Sequence, residues 1–199
     1  MYEYTIARRS ENHNWENVEK VEMLHELHHR HEHDVRAWFQ VCYDDDAIYV
    51  KLTAKEKDIR AEHQGPLGEI CEDSCLEFFL CPMEGDDRYF NIEVNPNGIL
   101  YHGFGSNVKN LQRLIPETPS VLPQITRTED GWTAEYAIPY TLIRLFFPTF
   151  SPAPGKSVKA NCYKCGDKTP APHWLCWCKV SEELSTFHCP AYFGTMYFA

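Results

Sequence analysis

The stretch EDSCLEFFLCPMEGDDRYFNIEVNPNG, residues Glu72 to Gly98, reads as two strands joined by a polar turn. Leu76, Phe78 and Leu80 alternate with Cys75, Glu77 and Phe79. Beyond the turn Phe90, Ile92 and Val94 alternate with Tyr89, Asn91, Glu93 and Asn95. A period of two places successive side chains on opposite faces of a pleated strand. One face is uniformly aliphatic or aromatic and is expected to enter a core. The other carries two carboxylates, two amides and two aromatic rings, the mixture that suits a polar ligand with apolar patches, such as a sugar.

Working outward, similar runs flank this pair. VRAWFQV (Val35 to Val41) and AIYVKL (Ala47 to Leu52) sit either side of Asp44, Asp45 and Asp46, the pattern of a β-hairpin. Val21 to Leu27 is compatible with an opening strand, and residues 1 to 20 read as an irregular lead-in. A short strand is expected at ILYHGFG, then a long surface crossing from Asn107 to Pro123, then a hairpin of Gln124 to Thr128 with Gly131 to Ile138. Pro139 to Phe147 has room for one or two helical turns before Pro148, Pro152 and Pro154 stop it. Strands around Val158 to Lys164 and Trp174 to Val180 precede the closing FHCPAYFGTMYF. Eight to ten short strands with turn signals between them predict an all-β, antiparallel sandwich of jelly-roll or immunoglobulin-like type with one or two short helices. Residues 1 to 199 suffice for one domain.

The formal charge of -10 argues against nucleic acid as a partner, because phosphates would be repelled. No stretch is long and apolar enough to span a bilayer, so no membrane partner is expected. MYEYTIARRSENHNW lacks the apolar centre of a signal peptide, which points to a cytoplasmic chain. Nine cysteines cannot all pair internally and fit reduced thiols.

Trp15 near the start, YDDDAIYVKL, EDSCLEFFLCP, RYFNIEVNPNG, GWTAEYAIP and FHCPAYFGTMYF, in that order, resemble the family 9 carbohydrate-binding modules and their stand-alone relatives over nearly the whole chain. The resemblance implies a DOMON-related β-sandwich that binds a mono- or oligosaccharide without catalysis. It implies no cofactor beyond the structural calcium that some members carry. By motif, Glu77 matches the polar residue of the DSxxE strand, and Glu93 stands where a basic residue can occur. Asn161 and Tyr163 match the polar face of the penultimate strand region, and Trp177 matches one of two tryptophans that clamp a sugar ring. The second clamp tryptophan falls where this chain has Ile70 and Cys71, so either a different ring substitutes, with Trp174, Tyr101 and His173 as candidates, or the ligand differs. The expected ligand-binding set is thus Glu77, Asn91, Glu93, Asn161, Tyr163, Trp174 and Trp177, with no catalytic and no metal residue.

Other constellations carry competing readings. Glu77 and Glu93 on one face fit a glycoside hydrolase, or acceptors for sugar hydroxyls or for Arg88. His25, His29, His31 and His33 share a parity that suits zinc or copper, or a solvated strand end. Cys162, Cys165, Cys176 and Cys178 suggest a zinc knuckle or redox protein, but in an extended strand Cys162 and Cys165 point to opposite faces, so buried thiols are favoured. Asp44 to Asp46 and Asp86 with Asp87 are oxygen-rich turns able to hold calcium, or simply solvated. Trp15, Trp38 and Trp132 read as packing residues.

Overall fold

The computed structural model describes residues 1–10, 14–28, 32–115, 117 and 120–199. Its strands are, in chain order, β1 (Glu3–Arg8), β2 (Val21–Glu22), β3 (His25–Glu26), β4 (Arg36–Tyr43), β5 (Ala47–Lys55), β6 (Cys75–Cys81) and β7 (Tyr89–Val94). They continue with β8 (Leu100–Gly105), β9 (Gln112–Arg113), β10 (Gln124–Thr128), β11 (Gly131–Pro139), β12 (Ser157–Cys165), β13 (Trp174–Cys176) and β14 (Gly194–Phe198). One α-helix among the described residues, α1 (Tyr140–Phe146), follows β11.

The strands form two sheets joined through β1. The first runs β10-β11-β5-β4-β1 and the second β1-β14-β12-β6-β7-β8-β9, with β13 also paired to β12. Pairing is antiparallel except at β1, which lies parallel to β14 through Glu3 to Ile6 and parallel to β4 through Ala7 and Arg8. The lead-in expected at residues 1 to 20 therefore contains a strand. Its Tyr4 and Ile6 are buried while Glu3 and Thr5 face out, and no turn signal marks it because neither partner is adjacent in sequence. The opening strand expected from Val21 to Leu27 is split. β2 pairs with β4 in the first sheet and β3 with β13 in the second, so the chain crosses between sheets there.

The two sheets close on one core. Phe39, Val41, Ile48, Val50 and Leu52 come from the first, and Leu76, Phe78, Leu80, Phe90, Ile92 and Val94 from the second. Turn chemistry sets the hairpins. Asp44 Oδ1 accepts from the Asp46 and Ala47 amides between β4 and β5. Asn95 Oδ1 accepts from the Asn97 and Ile99 amides after β7, where Gly98 takes φ +74°.

A second apolar layer lies on the outer face of the second sheet. Phe79, Tyr89, Tyr163 and Cys165 are covered there by Ile70, Val180, Phe187 and Phe193, from loops that fold back over the sheet. Both faces of β6 and β7 are thereby buried. The cover is incomplete, and the gap it leaves forms the site.

Candidate functional site

Directly opposed residues of an antiparallel pair share a face. The register therefore draws a line across the second sheet: Cys176, Tyr163, Glu77, Glu93 and Tyr101, one from each of β13, β12, β6, β7 and β8. A parallel line holds Trp174, Cys165 and Cys75. Above them lies a cavity of about 500 Å³ whose lining includes Glu77, Glu93, Tyr101, Asp167, Trp174 and His188. Tyr101 and Trp174 stand on β8 and β13, four strand spacings apart, roughly 19 Å between backbones. They are the opposite walls of a trough whose floor is carboxylic.

Each wall is braced. Asp167 Oδ1 accepts from Trp174 Nε1 at 2.7 Å. The Arg113 guanidinium lies 4.2 Å from the Tyr101 ring centroid, and its Nη2 donates to the Gly68 carbonyl. Gly103 leaves the space this ring needs, since a Cβ there would come within 2.8 Å of Tyr101 Cε1. On the floor, Asn91 Nδ2 donates to Glu93 Oε1 at 2.8 Å and so fixes that carboxyl.

Burial dominates the electrostatics. It holds the Glu77 carboxyl well above the usual carboxylate range, and the neighbouring Glu93 charge pushes the same way. Burial raises Glu93 from 4.5 to about 7, against the opposing pull of its hydrogen bond from Asn91. Asp167 is raised by burial too. His188, hydrogen-bonded to the Tyr89 hydroxyl at 2.8 Å, is lowered by burial to about 4 and is neutral at pH 7. The floor thus presents groups able to donate as well as accept.

Of the residues expected from sequence, Glu77, Glu93 and Trp174 line the cavity, and Asn91 supports it from beneath. Asn161, Tyr163 and Trp177 do not line it. Asn161 Nδ2 donates to the Cys178 carbonyl and its Oδ1 accepts from the Cys162 and Cys178 amides, so its amide is committed to joining two chain segments. Tyr163 is roofed by Phe187, the rings stacked at 4.2 Å, and its hydroxyl donates to the Phe187 carbonyl. Trp177 corrects the motif-based placement. Cys176 pairs with Tyr163 on the outer face, so the next residue turns inward, and the Trp177 ring packs in the main core 5.0 Å from Phe39. The β13 strand itself ends at Cys176 rather than reaching Val180.

His173, proposed as a clamp substitute, is buried with Nε2 2.9 Å from Lys164 Nζ. Arg88 pairs with Asp86, not with either glutamate. In the acidic hairpin weighed as a calcium site or a solvated turn, Asp45 is bound by Arg8 and Asp44 caps its own turn. His29 and His31 lie outside the described residues, His25 bonds the Tyr2 hydroxyl, and His33 bonds Glu26. Cys162 and Cys178 enter the main core while Cys165 and Cys176 lie on the outer face, so the sheet separates the four thiols two by two. Trp132 is buried and Trp15 and Trp38 are partly covered, as packing residues.

Cys71, Glu69, Asp167 and His188 are cavity residues that sequence reasoning did not assign. They sit in turns and cover segments without a strand period. Only Cys71 had a signal, standing where a clamp tryptophan was expected.

The profile of carbohydrate-binding family 9 matches residues 7–198. The chain belongs to this family. A protein from Bacteroides uniformis ATCC 8492, described only provisionally as carbohydrate-binding, is 27% identical with a TM-score of 0.85, covering 99% of each chain. A family 9 module from Caldicellulosiruptor kristjanssonii in complex with glucose superposes with a TM-score of 0.71 at 14% identity, over 100% of this chain and 96% of the other. A family 9 module from the same organism in complex with cellotriose gives 0.69 at 14% identity, over 99% of this chain and 93% of the other. Among curated proteins, none matches the chain. The family 9 assignment and the mostly antiparallel sandwich agree with the order of motifs read along the sequence.

Proposed function

We propose that this family 9 domain binds a mono- or oligosaccharide, without catalysis, in the trough between Trp174 and Tyr101. The observation that carries the reading is the paired floor, Glu77 opposite Glu93 with Asn91 behind it, set between two aromatic walls. Sugar rings have apolar faces that suit the walls, and hydroxyls that both donate and accept. Buried polar groups on the floor penalise a ligand whose hydroxyls fail to meet them. The glucose and cellotriose complexes of the family make gluco-configured sugars the first to test.

Hydrolysis is disfavoured by the position of the carboxyls. Glycosidase carboxyls flank the scissile bond, about 5–5.5 Å apart in retaining enzymes and further apart in inverting ones. Here both project side by side from adjacent strands of the same floor, with ligand atoms within 4.8 Å of each other, below a ligand in the cavity rather than on either side of it.

Isothermal titration calorimetry with glucose, cellobiose and cellotriose tests the reading. Saturable heat is expected for the wild-type chain and at least tenfold weaker binding for Glu77→Leu, with no release from a chromogenic glucoside. Absence of binding by folded protein, or equal binding by Glu77→Leu, would remove the basis for placing a sugar here.

A further inference from the structure

The trough floor holds more donor chemistry than a sugar needs. Cys75, Glu77 and Glu93 each place one ligand atom within 4.8 Å of the other two, and all three are buried. Cys165 lies directly opposite Cys75 across the β12–β6 pair and borders the cavity. The three convergent donors are mixed, one thiol and two carboxyls. Four carboxylic residues, Glu69, Glu77, Glu93 and Asp167, line the cavity, and no lysine or arginine is among its described lining residues. Asn91, wholly buried and held by its bond to Glu93, keeps its Oδ1 without a hydrogen-bond partner among the described residues. A buried acceptor in that state beside Glu93 has an open hydrogen-bonding position, which a water or a metal-bound water can fill.

We infer that Cys75, Glu77 and Glu93 form a binding site for a divalent cation of the zinc class at the floor of the trough. Thiolate together with carboxylate selects zinc or a similar borderline-soft metal over calcium or magnesium, which take oxygen ligands. Tetrahedral zinc, with metal–sulfur bonds of about 2.3 Å and metal–oxygen bonds of about 2.0–2.2 Å, needs donors roughly 3.3–3.8 Å apart. Rotamer adjustments of about 1 Å bring three donors from within 4.8 Å to that spacing. On binding, the thiol and any protonated carboxyl in the set releases its proton to solvent, and the cation supplies the compensating charge. Glu77 and Glu93 line the cavity, so the fourth coordination position would open toward water or a ligand oxygen. The metal site rests on the donor set alone and stands whether or not a sugar binds above it.

Cobalt(II) added to the reduced, chelator-stripped full chain tests this, because a thiolate ligand gives Co(II) a near-ultraviolet charge-transfer absorption. One Co(II) per chain is expected, displaced by Zn(II), with the charge-transfer band lost in Cys75→Ser and affinity lowered at least tenfold in Glu93→Gln. Cys189→Ser, away from the cluster, is expected to behave as wild type. Should Cys75→Ser fail to fold, as judged by circular dichroism, Glu93→Gln carries the test. No saturable cobalt, cobalt bound without the thiolate band, or a band unchanged in Cys75→Ser or an affinity unchanged in Glu93→Gln would overturn the inference. Calorimetric sugar titrations repeated in chelator keep this result separate from the saccharide reading.

Discussion

Strands β6 and β7 are buried on both faces, yet the faces differ in kind. The inner face, Leu76, Phe78, Ile92 and Val94, meets another sheet and has nothing left to satisfy. The outer face, Cys75, Glu77, Asn91 and Glu93, is as deeply buried, but beneath loops that leave a cavity, with the Asn91 Oδ1 lacking a hydrogen-bond partner among the described residues. Burial alone therefore does not separate a core from a site. What separates them here is the gap in the loop cover, which leaves Glu77 and Glu93 bordering a cavity.

Substitutions on the two faces break or sharpen this contrast. Phe78→Ala, on the inner face, is expected to lower unfolding free energy by about 3–5 kcal/mol in urea titrations, through lost burial and the void left behind. Its outward neighbour behaves in the opposite way. Glu77→Leu replaces a buried carboxyl by an apolar group of similar size, so stability is expected to hold or rise while saccharide binding weakens by about 1.4–3 kcal/mol in calorimetry.

The next effect is one of pH. The folded-state pKa of Glu93, about 7, exceeds its ordinary 4.5, so between these values the folded chain holds more protons than the unfolded one. Unfolding free energy is then expected to fall as pH rises from 4.5 to 7, by at most about 1.4 kcal/mol per pH unit for one proton. Denaturation of Glu93→Gln across that window is expected to be flatter; an equal slope would show that other groups set it. The smallest effect belongs to a wall. Tyr101→Leu keeps bulk and loses the ring, and is expected to weaken sugar binding by about 0.5–1.5 kcal/mol with little change in stability.

Sequence carried the paired strands well, because alternation at Leu76 to Leu80 and Phe90 to Val94 fixes both faces at once, and the register then sets Glu77 against Glu93. The hairpins at Asp44 to Asp46 and at Gly131 were legible from turn chemistry. β1 was not, since its parallel partners lie far along the chain. Nor was the cover over the outer face. The segment bearing Phe187, His188 and Phe193 has no periodic pattern, only short 3₁₀ turns at Glu182–Leu184 and Pro190–Tyr192, so what it roofs and what it leaves open depends on tertiary packing. Tyr163 shows the consequence. Its face was read correctly, yet Phe187 closes over it.

Trp174 and Trp177 reduce the contrast to two residues three positions apart, one in the cavity and one in the core. The most direct test is tryptophan fluorescence during titration with cellotriose, in wild type, Trp174→Phe and Trp177→Phe. A saturable change that disappears in Trp174→Phe and persists in Trp177→Phe is the predicted result. A flat wild-type response from folded protein, or a signal that depends on Trp177 and not on Trp174, would contradict a sugar seated on the outer face.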